Sequence, residues 1–426
     1  MDDMLKFCLD QGIINLDDVR EKMERERRQS ILQKHKYSVF QDKDGRWKTM
    51  VDDPTKKNGK RLVAKKDRRD LEDLIIDCIL EEKEELTRQV NNSTLRDLYL
   101  PWLKSRMLEA NSVNTVKKND QDWRKYYEDD PIVDIPMRDL TCQQLKDWAH
   151  KKIRDNDFNK KQYYNMIVIM NKLFEYAKDS SIIEINQWKE VKINTKLLKK
   201  NPKKSNETQI YFFDEKIKLV SYALSRFRNN PKNIGVLAIP LMFLTGMRIG
   251  EVAALKYEDL KENEIIISRS EVVDYDMLED GTFMYAGVKV VDHAKTEAGE
   301  RSIPYTHGAK QIIRLIKDAS DDNGFYDDGY IFCPNSKRMK SNAIDIKLYD
   351  FCEKIGIPKK SAHKIRKTFI SQMISNGIDL DTVCRVSGHT DIKTTFDSYT
   401  YSLVRKEDRL DEFQDVCSDL EQLFVV

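Results

Sequence analysis

Residues 234–260 read IGVLAIPLMFLTGMRIGEVAALKYEDL, and this stretch decides how the larger part of the chain folds. It begins with an apolar run, 234–247, of about 14 residues, short of the roughly 20 that span a bilayer. We therefore predict a buried core helix, entered around Pro240. Arg248 follows the run directly, and a charge in that place needs a partner. Glu251, three residues later, can supply it from the same helical face.

Two glycines, Gly246 and Gly250, bracket Arg248. Because glycine has no side chain, we expect them to let a large anion approach the backbone beside the arginine. The alternative is a purely structural ion pair between Arg248 and Glu251.

Three further polar residues downstream belong to the same candidate site. Lys295 lies in DHAKTEAGERSIPYT, where a loop joins two predicted strands. His363 and Arg366 stand at i and i+3 in SAHKIRKTFISQMI, on one face of a helix that starts near Ser361. We expect this pair to project away from the apolar stripe of that helix, as an anion site requires.

The segment 388–403, GHTDIKTTFDSYTYSL, contains one histidine, His389, and two tyrosines. With Thr390 as N-cap, a helical period places Tyr399 on the apolar stripe and Tyr401 on another face. By periodicity alone Tyr399 is a core residue.

The chain of 426 residues suits about three domains. Hairpin signals at Asp44-Gly45 and Asn58-Gly59 predict three short strands, followed by an amphipathic helix. The expected organisation is an N-terminal helical segment (1–36), a three-stranded sheet plus helix (37–90), an all-α bundle (91–193), a basic linker (194–206), a mixed, mainly α domain with a small antiparallel sheet (207–405) and an amphipathic tail helix (406–426). The fold class is therefore multidomain α+β.

The net charge of +2 indicates no partner, but basic residues cluster in two places. A β-sheet can enter a DNA groove, and lysines release counterions from phosphates, so we predict a DNA-facing sheet and a linker that follows the phosphate backbone. The alternative is a merely solvated face. The candidate DNA-binding residues are Lys56, Lys57, Lys60, Arg61, Lys65 and Lys66 in the sheet, and Lys199, Lys200, Lys203 and Lys204 in the linker.

Seven cysteines lie far apart without a CxxC pair or a compact Cys/His cluster. This pattern indicates a reduced, intracellular protein, and we expect a cytoplasmic location.

The ordered set Arg248, Lys295, His363-x-x-Arg366, His389 and Tyr399 resembles the tyrosine recombinase (phage integrase) family. The stretches TGMRIGEVAALKYED, AHKIRKTF and GHTDIKTTFDSYT are similar to its motif boxes over about residues 207–405. The bundle and the basic sheet look like its core-binding and arm-binding domains. Within the family, the chain most resembles integrases of conjugative transposons and related phages of low-GC bacteria.

The resemblance implies a site-specific recombinase of a mobile element that cleaves and rejoins DNA for integration and excision. Arg248 and Arg366 would clamp the scissile phosphate, and Tyr399 would attack it to leave a 3′-phosphotyrosyl bond and a free 5′-hydroxyl. His363 would act as the base and Lys295 as the acid for the leaving group. His389 would bond the phosphate or position the tyrosine. Neither a metal nor a cofactor is expected.

The resemblance also implies partners. These are double-stranded DNA at core and arm sites, further copies of the chain in a dimer to tetramer on DNA with exchanged C-terminal tails, an excisionase and a DNA-bending host factor; no membrane is expected. Two alternatives stay open, a type IB topoisomerase-like enzyme and a non-catalytic DNA-binding regulator. Tyr401 stands where many family members have a histidine, and we assign the nucleophile to Tyr399.

Overall fold

The computed structural model describes residue 11 and residues 15–53, 55–200, 205–292, 301–389, 401–403 and 405. The chain divides into two compact units, Met1–Glu109 with Asn119–Lys199, and Ala110–Lys118 with Lys200–Val426. Within the described ranges, no helix is both long and apolar enough to cross a membrane.

The N-terminal half contains a small sheet and a series of helices. In chain order these are α1 (Leu16–Leu32), β1 (Phe40–Gln41), β2 (Trp47–Asp52), β3 (Lys60–Lys65), α2 (Arg68–Asn91), α3 (Leu95–Glu109), α4 (Val113–Tyr126), α5 (Cys142–Asp155) and α6 (Lys160–Asp179), with 3-10 turns at Pro131–Asp134, Met137–Asp139, Gln187–Glu190 and Thr195–Leu197.

The predicted three-stranded sheet is present, with β2 in the middle and antiparallel to both neighbours. Gly45 and Gly59 adopt positive φ of 74° and 66° in its two turns, which explains the strong hairpin signals. Val51 and Val63 point to one side and pack against α2, so the sheet and its helix share a small core.

The bundle α3–α6 is built around stacked aromatic rings. The Tyr99 and Trp123 ring centroids lie 4.0 Å apart, and Trp123 stacks on Tyr127 at 5.5 Å. The Tyr127 hydroxyl donates to the Met166 carbonyl at 2.7 Å, so this fully buried tyrosine is satisfied. The Tyr164 side chain, by contrast, is exposed.

The C-terminal half is mainly helical with short strands. Its elements are α7 (Asn206–Gln209), α8 (Phe213–Asn229), α9 (Ala238–Thr245), α10 (Ile249–Ala253), β4 (Glu264–Ile267), β5 (Arg269–Met277), β6 (Phe283–Asp292), β7 (Arg301–Pro304), α11 (His307–Asn323), α12 (Ser341–Lys354), α13 (Ala362–Ser375) and α14 (Leu380–Ser387), with 3-10 turns at Ile234–Leu237, Tyr257–Asp259 and Pro334–Ser336.

The apolar run 234–247 forms the centre of this half. A 3-10 turn leads into α9, where Pro240 sits in the first turn and costs no hydrogen bond. Pro240 and its neighbours are buried, and α9 packs against α11 and α13. The prediction of a buried core helix is confirmed.

The strands of this half differ from the sequence prediction in their pairing. β5 turns into β6 at Asp280-Gly281, where Gly281 has φ 83°. The strands on either side of Lys295, β6 and β7, do not pair with each other: β6 pairs with β5, and β7 pairs with β4. The lysine segment therefore connects two separate antiparallel sheets, and the expected single small sheet is two.

Candidate active site

Arg248 stands at the junction between the core helix and α10. Gly246 ends α9 in the left-handed conformation, with φ 64°, and Arg248 is the extended N-cap of α10. The Arg248 backbone N–H donates to Glu251 Oε2 at 2.7 Å, and Arg248 Nη1 donates to Glu251 Oε1 at 2.8 Å. The predicted Arg248–Glu251 pair is thus present. The Arg248 side chain is 41% exposed, whereas that of Glu251 is 0% exposed.

Glu251 also binds a second arginine, which the sequence analysis missed. Arg301 Nη1 donates to Oε1 at 2.9 Å and Arg301 Nη2 to Oε2 at 2.7 Å, in a bidentate fork. Burial would raise the pKa of Glu251, but Arg301 and then Arg248 lower it to about 2. The buried carboxylate therefore stays ionised and anchors both guanidinium groups.

The two glycines beside Arg248 serve packing, so the expectation that they admit an anion was wrong. A Cβ on Gly250 would lie 2.6 Å from the Glu271 carbonyl oxygen, because α10 packs directly on β5. A Cβ on Gly246 would lie 2.2 Å from the Phe369 ring of α13. Protein atoms already occupy the space that the missing side chains leave.

His363 and Arg366 both lie on α13, but in different surroundings. His363 is exposed, whereas Arg366 is only 1% exposed, so the expectation that both project away from the core was wrong for the arginine. Arg366 Nη1 donates to the Gly246 carbonyl at 2.9 Å. This bond ties α13 to the end of the core helix, next to Arg248.

The C-terminal end of α14 brings the three arginines together. Its last carbonyls carry the partial negative charge of the helix terminus, which attracts cations. The bonds are Arg301 Nε to the Val386 carbonyl at 2.9 Å, Arg366 Nη2 to the Ser387 carbonyl, and Arg248 Nη2 to the Gly388 carbonyl at 3.2 Å. Three consecutive residues of one helix end thus hold three guanidinium groups from three other elements.

His389 follows this helix end and lies between Arg366 and Ser387. Its Nε2 is 3.3 Å from Arg366 Nη2, and its Nδ1 is 3.1 Å from Ser387 Oγ. Partial burial, then Arg366 and Arg248, lower the pKa of His389 to about 4. The ring is therefore neutral at pH 7.

His363 is in the same protonation state for similar reasons. Loss of hydration beside α13 comes first, and the charges of Lys367 and Arg366 add to it, so that the pKa of His363 falls to about 4. A neutral imidazole that is still reached by solvent can accept a proton, which is what a general base must do.

Two of the six predicted catalytic residues, Lys295 and Tyr399, lie outside the described residues, as does the predicted helix around Tyr399. The other four, with Glu251, form the arrangement above; their catalytic roles stay predictions. Tyr401 is described, and its hydroxyl accepts from Lys367 Nζ at 3.0 Å. Arg405 Nη2 donates to Asp214 Oδ1 of α8 at 2.8 Å, and its guanidinium lies 4.4 Å from the centroid of the Phe212 ring.

The basic strand β3 divides its charges between two faces. Val63 faces α2, so alternation places Arg61 and Lys65 on that side and Lys60 with Leu62 on the open side. Arg61 lies 3.6 Å from Asp53, and all the predicted basic residues of this region are exposed.

In the predicted linker, Lys203 and Lys204 lie outside the described residues, while Lys199 and Lys200 are exposed. The Lys199 backbone N–H donates to the Phe158 carbonyl at 2.8 Å, and its ammonium group pairs with Asp157. This part of the predicted linker is therefore attached to the helical bundle. The DNA-binding roles of both sets stay predictions.

Arg301 could have been found in the sequence from the strand RSIP. Alternation places Arg301 on the same face as Ile303, which is buried, and a charge on a buried face indicates a partner. What the sequence could not indicate is the partner, because Glu251 stands 50 residues earlier in the chain.

The sequence is similar to a known protein family and to several of its members. A family model, Phage integrase family, matches residues 218–405. A tyrosine recombinase XerC-like protein of Caldanaerobacter subterraneus is 24% identical over 327 residues, covering 74% of this chain and 81% of that protein. The ICEBs1 integrase of Bacillus subtilis is 22% identical over 342 residues, covering 78% of this chain and 86% of that protein.

Among solved structures, the Tn1549 transposon integrase in complex with a circular intermediate DNA has the same fold. The TM-score is 0.55 at 17% sequence identity, over 76% of this chain and 99% of that chain.

Proposed function

We propose that the chain is a tyrosine site-specific recombinase of a mobile element, as its similarity to the phage integrase family supports, and that it cuts and rejoins DNA through a covalent 3′-phosphotyrosine on Tyr399. One observation carries the proposal. Buried Glu251 anchors Arg248, whose side chain is still 41% exposed. Arg366 and two histidines that are neutral at pH 7 lie beside it. Such a group binds an anion without losing its orientation.

The arginines bind the scissile phosphate in this mechanism. Guanidinium stays charged and matches the geometry of phosphate oxygens, so Arg248 and Arg366 stabilise the charge that develops at phosphorus. This electrostatic role is the one that metal ions take in other phosphoryl-transfer enzymes, and we expect activity without added metal.

The chemistry then needs a nucleophile, a base and an acid. The Tyr399 hydroxyl passes its proton to His363 and forms a bond to phosphorus, while the bond from phosphorus to the 5′-oxygen breaks. Lys295 gives a proton to that oxygen, which leaves as a 5′-hydroxyl. Rejoining reverses the steps with a 5′-hydroxyl as nucleophile, so the phosphotyrosine retains the energy of the broken bond and no nucleotide cofactor is needed.

We further propose the division of labour along the chain. Residues 37–90 bind arm sites, 91–193 bind the core site, 194–206 follow the backbone between them, and 207–405 carry out strand exchange. The Tn1549 integrase was solved with circular intermediate DNA, which supports duplex DNA as the partner. A dimer to tetramer on DNA, with the tail 406–426 exchanged between copies, and assistance from an excisionase and a DNA-bending factor complete the proposal.

The test is covalent capture on a nicked duplex. A binding site is selected from random duplexes with the full-length protein, and nicks are placed so that the short 5′-hydroxyl fragment diffuses away after cleavage. In EDTA, a protease-sensitive protein–DNA adduct should accumulate with the wild type and with Tyr401→Phe, and should be absent with Tyr399→Phe. An adduct lost with Tyr401→Phe alone would move the nucleophile to Tyr401, and no wild-type adduct on any selected site would favour a non-catalytic DNA-binding regulator.

A second arm separates a recombinase from a type IB topoisomerase. Supercoiled plasmids with and without the selected site are incubated with the wild-type protein. A recombinase should join two duplexes only where both carry the site. Relaxation of the plasmid without the site, at the same rate, would favour the topoisomerase.

A further inference from the structure

Arg301 is buried, and its guanidinium group makes three hydrogen bonds inside the protein. It is the first residue of β7, and its side chain is only 4% exposed. Its Nη1 and Nη2 bind both oxygens of Glu251, and its Nε binds the Val386 carbonyl. All three guanidinium nitrogens of Arg301 already bond to Glu251 and Val386, so its effect on the reaction passes through these partners.

The first partner, Glu251, connects Arg301 to Arg248. The Glu251 carboxylate accepts two bonds from Arg301 and two from Arg248. Without Arg301, half of these donors disappear while the carboxylate stays buried. Burial then favours its protonated form, and a neutral carboxyl holds Arg248 far less firmly.

The second partner is the Val386 carbonyl, three residues before His389. The bond from Arg301 fixes one carbonyl at the end of α14, and the next two carbonyls are held by Arg366 and Arg248. Arg301 therefore contributes to the placement of the helix end from which His389 projects. Arg301 also stands six residues after Lys295, at the start of the strand into which the lysine segment leads.

A purely structural ion pair is the competing explanation. Buried ion pairs, however, stabilise folds little more than apolar residues of similar volume do, because removing two charges from water is costly. Arg301 binds Glu251 through two bonds and also binds the Val386 carbonyl, close to the catalytic candidates. These bonds fix the orientation of its partners, which stability alone does not require.

We propose that Arg301 is a positioning residue for DNA cleavage, which orients Arg248 through Glu251 and His389 through the end of α14. This rests on the proposed recombinase function. It predicts that Arg301 contributes to the rate of cleavage at saturating DNA and contributes little to DNA affinity.

The experiment measures single-turnover adduct formation on the nicked duplex, with affinity from fluorescence anisotropy and folding from thermal melts. Arg301→Met should slow cleavage about 100-fold at full occupancy, since misplacement of a binding group by about 1 Å costs that much. Arg301→Lys should recover part of the loss, because an ammonium keeps the charge but not the fork. In Arg301→Met the acid limb of the pH–rate profile should move to higher pH, because Glu251 protonates more readily.

Arg269→Met is the matched control. Arg269 also lies in a strand of this half and binds a buried carboxylate, Asp259, at 2.7 Å, but its other partners are Glu258 and Ser268. It should lose comparable stability and keep the wild-type pH–rate profile. If Arg301→Met folds poorly, Arg301→Lys decides instead, because it keeps the charge beside Glu251 and loses only the bidentate fork; it should fold and still cleave more slowly than the wild type at full DNA occupancy.

The results distinguish the role of Arg301 from the recombinase function itself. A wild-type adduct that needs Tyr399, together with an Arg301→Met rate and pH profile like those of Arg269→Met, would overturn the role of Arg301 and leave the recombinase intact. A wild type without any adduct would instead overturn the proposed function.

Discussion

Arg366 and His389 meet through a hydrogen bond from Nη2 of the arginine to Nε2 of the imidazole, at 3.3 Å. A guanidinium only donates, so Nε2 must accept, and the single ring proton of neutral His389 lies on Nδ1. Ser387 Oγ, 3.1 Å from Nδ1, accepts that proton and donates its own to the Val383 carbonyl at 2.6 Å. The serine thus selects the tautomer that the arginine requires.

The first prediction follows from this chain of bonds. Ser387→Ala removes the acceptor for Nδ1–H, so the tautomer and the ring orientation are no longer selected. We expect single-turnover cleavage to fall about tenfold, since one hydrogen bond contributes about 1 kcal/mol and about 1.4 kcal/mol is a factor of ten in rate, with DNA affinity unchanged. Ser320→Ala, which truncates another buried serine in α11, is the control and should cleave like the wild type. Equal rates for the two variants would contradict the role of Ser387.

The second prediction concerns the two histidines of the site. Partial loss of hydration and neighbouring cations lower the pKa of both His363 and His389 to about 4. In NMR titrations of the free protein, their ring signals, assigned through His363→Gln and His389→Gln, should therefore move near pH 4. Bound duplex should raise both pKa values, because a phosphodiester anion favours the imidazolium form. Titration of either ring near its ordinary value of 6.5 in the free protein would contradict the environment described for it.

The third prediction is a dependence of stability on pH that originates in Glu251. Its pKa is about 2 in the folded chain against 4.5 ordinarily, so the unfolded chain binds the proton more readily between these values. The stabilisation is complete above pH 4.5 and is lost as the pH falls toward 2. It amounts to about 3 kcal/mol for a shift of this size. Urea midpoints of the wild type should fall more steeply in this window than those of Glu251→Gln; parallel curves would contradict the assignment.

The sequence predicted best those features that local physics determines. The turns at Gly45 and Gly59 need positive φ, and the apolar run before Arg248 could only be buried, so both were found where expected. The spacing of His363 and Arg366 on one helix was also correct. Each of these features depends on residues a few positions apart.

Features that depend on distant residues were missed or misjudged. Arg366 was expected to face outward because its own helix has a different apolar stripe, but the ends of α9 and α14 cover it. Gly250 was read as access for an anion, whereas the Glu271 backbone fills the space. Helical periodicity describes one element at a time and contains no information about which other element lies against it.

The fourth prediction uses the register of the basic sheet. Lys60 lies on the open face with Leu62, whereas Lys65 lies on the side of α2. If the open face contacts DNA, Lys60→Ala in the full-length protein should reduce the slope of log K against log salt by about one, as expected for one lost phosphate contact. Lys65→Ala, a lysine of the same strand, is the matched control and should change the slope less. A larger effect from Lys65 would assign the DNA to the other side of the sheet.

The fifth prediction concerns the segment that follows the proposed nucleophile. Arg405 binds Asp214 of α8, and Tyr401 binds Lys367 of α13, so two contacts hold this segment beside the helices of the site. Asp214→Ala should slow cleavage by at most about fivefold, because a partly exposed ion pair contributes up to about 1 kcal/mol. The effect should shrink at high salt, where the charges are screened.

The exchanged pair Asp214→Arg/Arg405→Asp tests whether the contact itself matters. If the two charges act on each other, the double variant should cleave faster than either single charge reversal, since the attraction is restored with opposite polarity. Tyr401→Phe with wild-type Asp214 then reports the Tyr401–Lys367 contact separately. Additive losses in the exchanged pair would mean that Asp214 and Arg405 act independently and do not jointly hold the tyrosine segment.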